Sequence, residues 1–271
     1  MKTALTIAGF DPSSGAGITS DLMVFAAHNL FGTSAVTSLT VQSTMGVRSS
    51  QPVGAETLRD TLEYLHSDLP PAGIKIGMLA TTEIVEVVAR YLEVVRQAEP
   101  RIPVVLDPVL RSSSGRALLS VEGLSQLRKL LLPQVDWVTP NLSELSLLAE
   151  TPVINRDHVE PAAKLFQNAY PDLTIFATGG HLDRPDDLLL RPDKDPTWIQ
   201  GERIESTSTH GTGCALSSAL LSCLLLGDDA HTAVTKSKHY VAEAIRHAVP
   251  IGHGHGPLNH LWPLRGFKSY S

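Results

Sequence analysis

The 271-residue sequence predicts an α/β protein, a mostly parallel β-sheet with helices on both faces. Short apolar segments rich in β-branched residues alternate with longer segments whose apolar residues recur at helical spacing. Several of the short segments are apolar almost throughout, which is typical of parallel strands that are buried on both faces. No linker or internal repeat interrupts the alternation, so residues 1–271 are predicted to form a single domain.

The predicted elements follow one another in the order that this fold class requires. Six segments are expected to be strands: 3–9, 33–41, 73–78, 103–109, 135–140 and 173–179. Helical periodicity occupies the segments between them: 16–29, 55–68, 82–97, 120–131 and 158–169. The polar stretch after the sixth strand contains two strand-like pieces, which predict an antiparallel hairpin at the sheet edge near 185–205. Two long helices, over roughly 212–226 and 229–248, are expected to complete the fold.

Charge and cysteine content exclude several classes of protein. A net charge of −6 argues against nucleic-acid binding, because no basic stripe is available to neutralise phosphates. The only two cysteines, Cys214 and Cys223, can build neither a disulfide framework nor a CxxC metal site. The N-terminal apolar run stops at Gly9, so no secretory signal is predicted, and no apolar stretch has membrane-spanning length. We therefore expect a cytoplasmic protein that does not bind membranes.

Polar, glycine-containing segments follow nearly every predicted strand. They are GFDPSSGAG, QSTMGV, GML, DPVLRSSSG, TPNLSE and TGGH, in chain order. The carboxyl ends of parallel strands meet along one edge of a sheet, where open α/β sheets bind their ligands. The sequence therefore predicts a ligand site along this edge.

The segment THGTGC, residues 209–214, places two glycines and a cysteine at the start of an apolar helix. Unpaired N–H groups at a helix start favour an anion and lower the pKa of a neighbouring thiol. One interpretation is an anion-binding loop with a reactive thiol on its rim. The other is an ordinary loop-to-helix turn whose cysteine is a small core residue.

Carboxylates follow two neighbouring predicted strands. Asp107 ends the fourth strand, and Asn141 and Glu144 follow the fifth. Carboxylates placed there can hold Mg²⁺, often through water, with phosphate oxygens completing its shell. Asn141 and Glu144 also have the spacing of a helix capping box, and the two roles are compatible if one Glu144 oxygen stays free. Asp107-Pro108 is equally typical of a strand-ending turn, and no GxxxxGK[ST] loop is present.

Seven segments occur in the order and at the spacing of a known family. They are AGFDPSSGAGITSDL, LTVQSTMGV, IKIGMLAT, VVLDPVLRSSSG, LLPQVDWVTPNLSE, TGGHL and STHGTGCALSSA. From Leu5 to about residue 257 the chain resembles the hydroxymethylpyrimidine/phosphomethylpyrimidine kinases of thiamine biosynthesis, within the ribokinase-like superfamily. THGTGC is the most discriminating segment, because related sugar kinases usually have an aspartate where this chain has Cys214. The resemblance implies a three-layer αβα sandwich, ATP and Mg²⁺ as cofactors, and a homodimer.

The reaction implied by the resemblance is the ATP-dependent phosphorylation of 4-amino-5-hydroxymethyl-2-methylpyrimidine, and then of its monophosphate to the diphosphate. The alternatives are a pyridoxal or pyridoxine kinase and a pyrimidine-binding relative that no longer catalyses. Gln42 and Met78 match the pyrimidine kinase pattern and favour the first interpretation.

The resemblance also implies a role for each matching residue. The backbone of Gly211, Thr212, Gly213 and Cys214 is expected to surround the transferred phosphoryl group. Cys214 is expected to be the base, provided that the helix start stabilises its thiolate. The aminopyrimidine is expected to hydrogen-bond Gln42 and Asp21. The remaining implied residues are the apolar ring contacts Gly9, Met78 and Val109, the metal-side carboxylates Asp107 and Glu144, and the nucleotide-side residues Thr178 and Lys238.

The sequence departs from the family pattern at a few positions. Thr178 stands where a lysine usually faces the ATP phosphates, so a positive charge is missing there. Arg111 is a candidate replacement, because it too follows a strand at the carboxyl edge. Ser43 replaces a common asparagine, and His253 and His255 are interpreted as part of a glycine-rich loop rather than as metal ligands.

Overall fold

The computed structural model describes residues 1–111, 115, 117–180 and 182–264. The strands in this part of the chain are β1 (Thr3–Phe10), β2 (Phe31–Ser43), β3 (Gly46–Pro52), β4 (Gly73–Ile76), β5 (Val104–Leu106), β6 (Trp137–Val138), β7 (Thr174–Ala177), β8 (Asp187–Leu190) and β9 (Thr197–Ile199). They form one sheet in the order β3-β2-β1-β4-β5-β6-β7-β8-β9. The sheet is parallel from β2 to β7, and β3, β8 and β9 pair antiparallel at its two edges.

Helices connect the strands and follow the last of them. They are α1 (Gly17–Ala27), α2 (Ala55–Asp68), α3 (Thr82–Ala98), α4 (Val121–Gln126), α5 (Leu142–Ala149), α6 (Arg156–Ala169), α7 (Thr212–Leu226) and α8 (Ala230–Arg246). A π-helical turn at Leu127–Leu131 continues α4. Polar caps fix several starts: the side chains of Thr81, Ser120 and Asp229 each accept a backbone N–H from the first turn of the helix that follows.

Alternation along the strands divides the apolar side chains between two cores. In β1, Leu5 and Ile7 belong to the core that packs against α2, α3, α5 and α6. Ala4, the residue before Leu5, belongs to the opposite core with α1, α7 and α8. Successive strand residues point to opposite faces, so a fully apolar strand supplies both cores. The predicted three-layer αβα sandwich is confirmed, and the single-domain interpretation remains a prediction that this continuous sheet supports.

The six predicted parallel strands and the antiparallel hairpin near 185–205 are present, and the structure adds strand β3 and helix α5, of which the sequence indicated only the capping box of α5. Strand β3 is largely polar, and it is stabilised by pairing with β2 at the sheet edge rather than by burial of an apolar face. Helix α5 has only eight residues, which is too short for a clear periodic pattern. Among the described residues, no helix is long and apolar enough to cross a membrane.

Candidate active site

The start of α7 lies against the loop that precedes α1. Gly211 has a φ of 87°, and a Cβ added to it would lie 1.8 Å from the carbonyl oxygen of Gly15. Helix α1 begins at Gly17, whose backbone N–H donates to the sulfur of Cys214. The N-termini of α1 and α7 therefore meet at Cys214 in an anion-binding corner, where the helix dipoles favour negative charge.

The Cys214 thiol is half-buried in this corner and is hydrogen-bonded to the Asp107 carboxylate. The Ser217 hydroxyl, one turn further along α7, donates to the same carboxylate at 3.3 Å. Burial raises the pKa of Cys214 to about 12. The positive charge of Lys75 acts to lower this pKa, and the negative charges of Asp107 and Asp21 act to raise it. Desolvation thus favours the neutral thiol in this structure, against the expectation that the helix start stabilises a thiolate.

Glu144 is fixed by the capping box that the sequence indicated. Its backbone N–H donates to Asn141 Oδ1 at 3.0 Å, and its Oε2 accepts the Asn141 N–H at 3.0 Å. Its Oε1 accepts the N–H of Leu110 at 3.2 Å. Each carboxylate oxygen therefore already has one protein donor, so neither is wholly free as expected, although each keeps a second lone pair that can accept from water.

Asp107 and Glu144 form a buried acidic pair. Burial, followed by the charge of Asp107, raises the pKa of Glu144 to about 8, and burial likewise raises the pKa of Asp107. A divalent cation would relieve the charge repulsion between the two carboxylates and so favour their ionised forms. Among the described residues, no group of three or more His, Cys, Asp or Glu side chains is arranged to hold a metal ion. Two carboxylates are nevertheless compatible with Mg²⁺, because Mg²⁺ in proteins takes many of its ligands from phosphate and water.

Three of the expected ring contacts lie at the ends of adjacent strands. A Cβ added to Gly9, on β1, would lie 3.2 Å from the sulfur of Met78, which follows β4. Val109 follows β5 and has a φ of 40°, an unusual conformation for a β-branched residue. The N–H of the next residue, Leu110, is held by Glu144. Backbone strain of this kind is frequent at functional sites.

The contacts of Asp21 differ from the ligand contact that the resemblance implies. Its side chain is fully buried, and its carboxylate accepts from Lys75 Nζ at 2.9 Å, Thr6 Oγ1 at 2.6 Å and Ser218 Oγ at 2.7 Å. Lys75 is also fully buried. The predicted direct hydrogen bond from Asp21 to a ligand is therefore corrected: these partners occupy its oxygens, and it acts as the counter-ion of Lys75. Lys75 lies within the apolar strand β4, and the residues around it in the sequence do not indicate that Asp21 is its partner.

Gln42 belongs to a polar network that the sequence did not reveal. Its terminal amide lies 2.9 Å from Nε2 of His210, and the same nitrogen lies 2.8 Å from Oδ2 of Asp11. Asp11 and His210 come from GFDPSSGAG and THGTGC, segments in which the sequence assigns these two side chains no role. The network brings Gln42 beside the same corner as Cys214.

The nucleotide-side residues are separated from one another. Thr178 is half-buried, and its N–H donates to Pro140 O, beside the start of α5. The Lys238 amine contacts Asp187, whose other oxygen accepts the Gly179 N–H at 2.8 Å. Arg111 lines an open cavity of about 450 Å³ with residues of α5 and the segment after it. Of the two cations, Lys238 is thus the one that the described contacts connect to the TGG turn.

An anion-binding corner beside a proton-carrying thiol and two buried carboxylates meets the electrostatic needs of phosphoryl transfer. Fold and site together define a kinase of the ribokinase-like class. The pattern of the phosphomethylpyrimidine kinase family matches residues 11–259. The chain belongs to this family, and it is a phosphotransferase.

Individual relatives support the same assignment. The hydroxymethylpyrimidine/phosphomethylpyrimidine kinase of Haemophilus influenzae is 37% identical over 264 residues, which cover 96% of this chain and 97% of that protein. The structure of the phosphomethylpyrimidine kinase of Clostridium difficile has a TM-score of 0.76 at 31% identity, covering 90% of this chain and 100% of that one. An ADP complex of Bacillus subtilis pyridoxal kinase has a TM-score of 0.84 at 29% identity, covering 96% of this chain and 97% of that one.

Proposed function

We propose that the protein phosphorylates 4-amino-5-hydroxymethyl-2-methylpyrimidine with ATP, and then phosphorylates the monophosphate to the diphosphate. The observation that carries this proposal is the convergence of two helix N-termini on Cys214, next to Asp107 and Glu144. The Haemophilus influenzae relative, which bears the name of this activity, matches nearly the whole chain.

In the proposed reaction, the substrate hydroxyl oxygen attacks the γ-phosphorus of ATP, the bond to the bridging oxygen breaks, and ADP leaves. The N–H groups of residues 211–214 stabilise the negative charge on the phosphoryl oxygens. Cys214 accepts the hydroxyl proton. Because its thiol is neutral, it passes its own proton to Asp107, to which it is hydrogen-bonded.

Mg²⁺, when bound, neutralises phosphate charge, and we propose that Asp107 and Glu144 hold it through water. Lys238 supplies a positive charge at the TGG turn in place of the lysine that Thr178 lacks. Gly9, Met78 and Val109 pack against the ring.

The second phosphorylation requires a site that accepts a phosphate oxygen as the nucleophile. A neutral thiol at position 214 does not repel the monophosphate dianion, whereas a carboxylate there would. A cysteine at position 214 therefore suits both phosphorylation steps better than the aspartate of related sugar kinases.

Pyridoxal is a second candidate substrate, because the pyridoxal kinase of Bacillus subtilis shares the fold over 96% of this chain. The test measures ADP formation with the hydroxymethylpyrimidine, its monophosphate and pyridoxal as separate substrates. We expect kcat/KM to be highest for the two pyrimidines. Turnover of pyridoxal alone would replace the proposal, and turnover of none would indicate a binding protein.

We also propose that the protein is a cytoplasmic homodimer. Leu39, Val41 and Met45, on β2 and the turn after it, are each more than half exposed, although they are apolar. A second copy of the chain would cover this face. Leu39→Glu is expected to shift the protein to a monomer in analytical ultracentrifugation, whereas Val121→Glu, at an exposed apolar position on α4, is the control. A monomeric wild-type protein would contradict the proposed dimer.

A further inference from the structure

The His210 imidazole lies between an acid and an amide. Its Nε2 is 2.8 Å from Oδ2 of Asp11 and 2.9 Å from the terminal amide of Gln42. The Asp11 and His210 side chains are 4% and 15% exposed, so solvent competes little for these contacts. The imidazole therefore has two close polar partners at a single nitrogen.

The surrounding structure leaves the imidazole little freedom to move. Asp11 is fixed by the N–H and the hydroxyl of Ser13, at 2.8 Å and 2.7 Å, and by the N–H of Ala16 at 3.0 Å. Although burial opposes it, hydrogen bonds from His210 and Ser13 lower the pKa of Asp11, so this group is a carboxylate near neutral pH. A Cβ added to Gly15 would lie 2.2 Å from Cδ2 of His210, so the ring packs directly on the Gly15 backbone. The His210 backbone N–H donates to Gly256 O at 3.1 Å.

The donors and acceptors of this network fix the orientation of the Gln42 amide. A carboxylate only accepts, so Nε2 must carry the hydrogen that it donates to Asp11. The same N–H cannot accept a hydrogen from the amide NH₂, and the amide must turn its oxygen toward His210. Its NH₂ group then faces Thr40 Oγ1, 3.2 Å from the amide, and the Thr40 hydroxyl donates to Phe10 O at 2.9 Å. One N–H of Gln42 is left for a ligand.

We propose that His210, anchored by Asp11, is a positioning residue that turns an N–H of Gln42 toward the ligand and so selects a ring with a hydrogen-bond acceptor on that edge. This inference rests on the proposed function. A pyrimidine ring nitrogen meets the requirement, and a C–H at the same place does not.

The experiment measures binding by calorimetry in the absence of ATP. The probes are 4-amino-5-hydroxymethyl-2-methylpyrimidine and the two pyridine analogues in which one or the other ring nitrogen is replaced by C–H. For the wild-type protein we expect one analogue to bind about tenfold more weakly than the pyrimidine, since one buried hydrogen bond is lost. If the wild-type protein does not bind the pyrimidine, the proposed function itself fails.

Three variants test the role of His210. His210→Phe removes the N–H, Asp11→Asn removes the carboxylate, and Gly15→Ala displaces the ring without replacing any polar side chain. Each is expected to lose the discrimination between pyrimidine and analogue and to raise KM for the pyrimidine about tenfold, with KM for ATP unchanged. Gly54→Ala is the control, because a Cβ there meets nothing closer than 3.6 Å. Retained discrimination in all three variants would overturn the inference, as would an equal loss of affinity for every probe.

Discussion

At the scale of single residues, the proposed reaction depends on the proton of Cys214. Its sulfur accepts from Gly17, and its hydrogen bond to Asp107 gives the proton a defined neighbour. A thiol with a pKa of about 12 is a poor base alone, so the proposed proton transfer depends on the adjacent carboxylate. The second cysteine, Cys223, lies on the same helix, is almost fully buried, and is outside this arrangement.

Cys214→Ser is expected to lower kcat by roughly 10²-fold or more while leaving the Kd of the pyrimidine within about threefold, because a serine hydroxyl is a much weaker acid and releases its own proton to Asp107 less readily. Steady-state kinetics and calorimetry measure the two effects. Cys223→Ser is the matched control and should keep its turnover. If the Cys214→Ser variant keeps most of its activity, another residue must accept the hydroxyl proton.

Thr178→Lys is expected to lower KM for ATP several-fold, because a lysine beside the phosphates adds a favourable charge at the TGG turn. Lys238→Ala is expected to raise KM for ATP several-fold, because Lys238 is proposed to supply the positive charge at the TGG turn, whereas Arg111→Ala should leave KM unchanged. Lys236→Ala, at an exposed lysine of α8, controls for a general loss of positive charge. An unchanged KM for ATP in both Thr178→Lys and Lys238→Ala would contradict this explanation of the departure from the family pattern.

At the scale of elements, the start of α7 combines a backbone requirement with a binding surface. Gly211 has a left-handed conformation and no room for a side chain beside Gly15. Gly213 has no positive φ, is exposed, and a Cβ there would meet only Asp107 Oδ2, at 3.9 Å. Two glycines separated by one residue therefore serve different purposes.

Gly211→Ala is expected to destabilise the fold by at least about 2 kcal/mol, through left-handed strain and the clash with Gly15. Gly213→Ala is expected to leave stability unchanged or slightly raised, because alanine favours a helix. It should still lower kcat, because its methyl group enters the anion-binding corner. Urea denaturation and turnover separate the effects, and equal stability of both variants would contradict this assignment.

At the scale of the whole molecule, the C-terminal segment ties the site to the rest of the fold. Gly256 accepts the N–H of His210, and the Tyr240 hydroxyl of α8 donates to the His260 carbonyl. The His260 ring is almost fully buried near Gly15, and burial lowers its pKa to about 4. The folded protein therefore holds this imidazole neutral at pH values where the unfolded chain protonates it.

This difference predicts how stability depends on pH. Between pH 6.5 and 4 the unfolded chain binds a proton at His260 that the folded chain does not, so the free energy of unfolding falls as the pH falls. The stabilisation from the neutral His260 is fully present above about pH 6.5. The free energy of unfolding falls by roughly 2 kcal/mol between pH 7 and pH 5. Urea denaturation of the wild-type protein and His260→Gln at both pH values tests it. The variant should lose that part of the pH dependence, and parallel curves would refute the assignment.

The sequence by itself determined the α/β class, the edge of the sheet that carries the site, and the THGTGC helix start. Each of these depends on local patterns: apolar periodicity, and polar residues where strands end. Tertiary structure alone decided that Asp21 is a buried partner of Lys75 rather than a ligand contact, that Cys214 keeps its proton, and that His210 holds Gln42. Gln42 and His210 are 168 positions apart, and the pKa of Cys214 depends on how deeply the fold buries it. Proximity across the chain and loss of solvent arise only when the layers pack, so no local pattern encodes them.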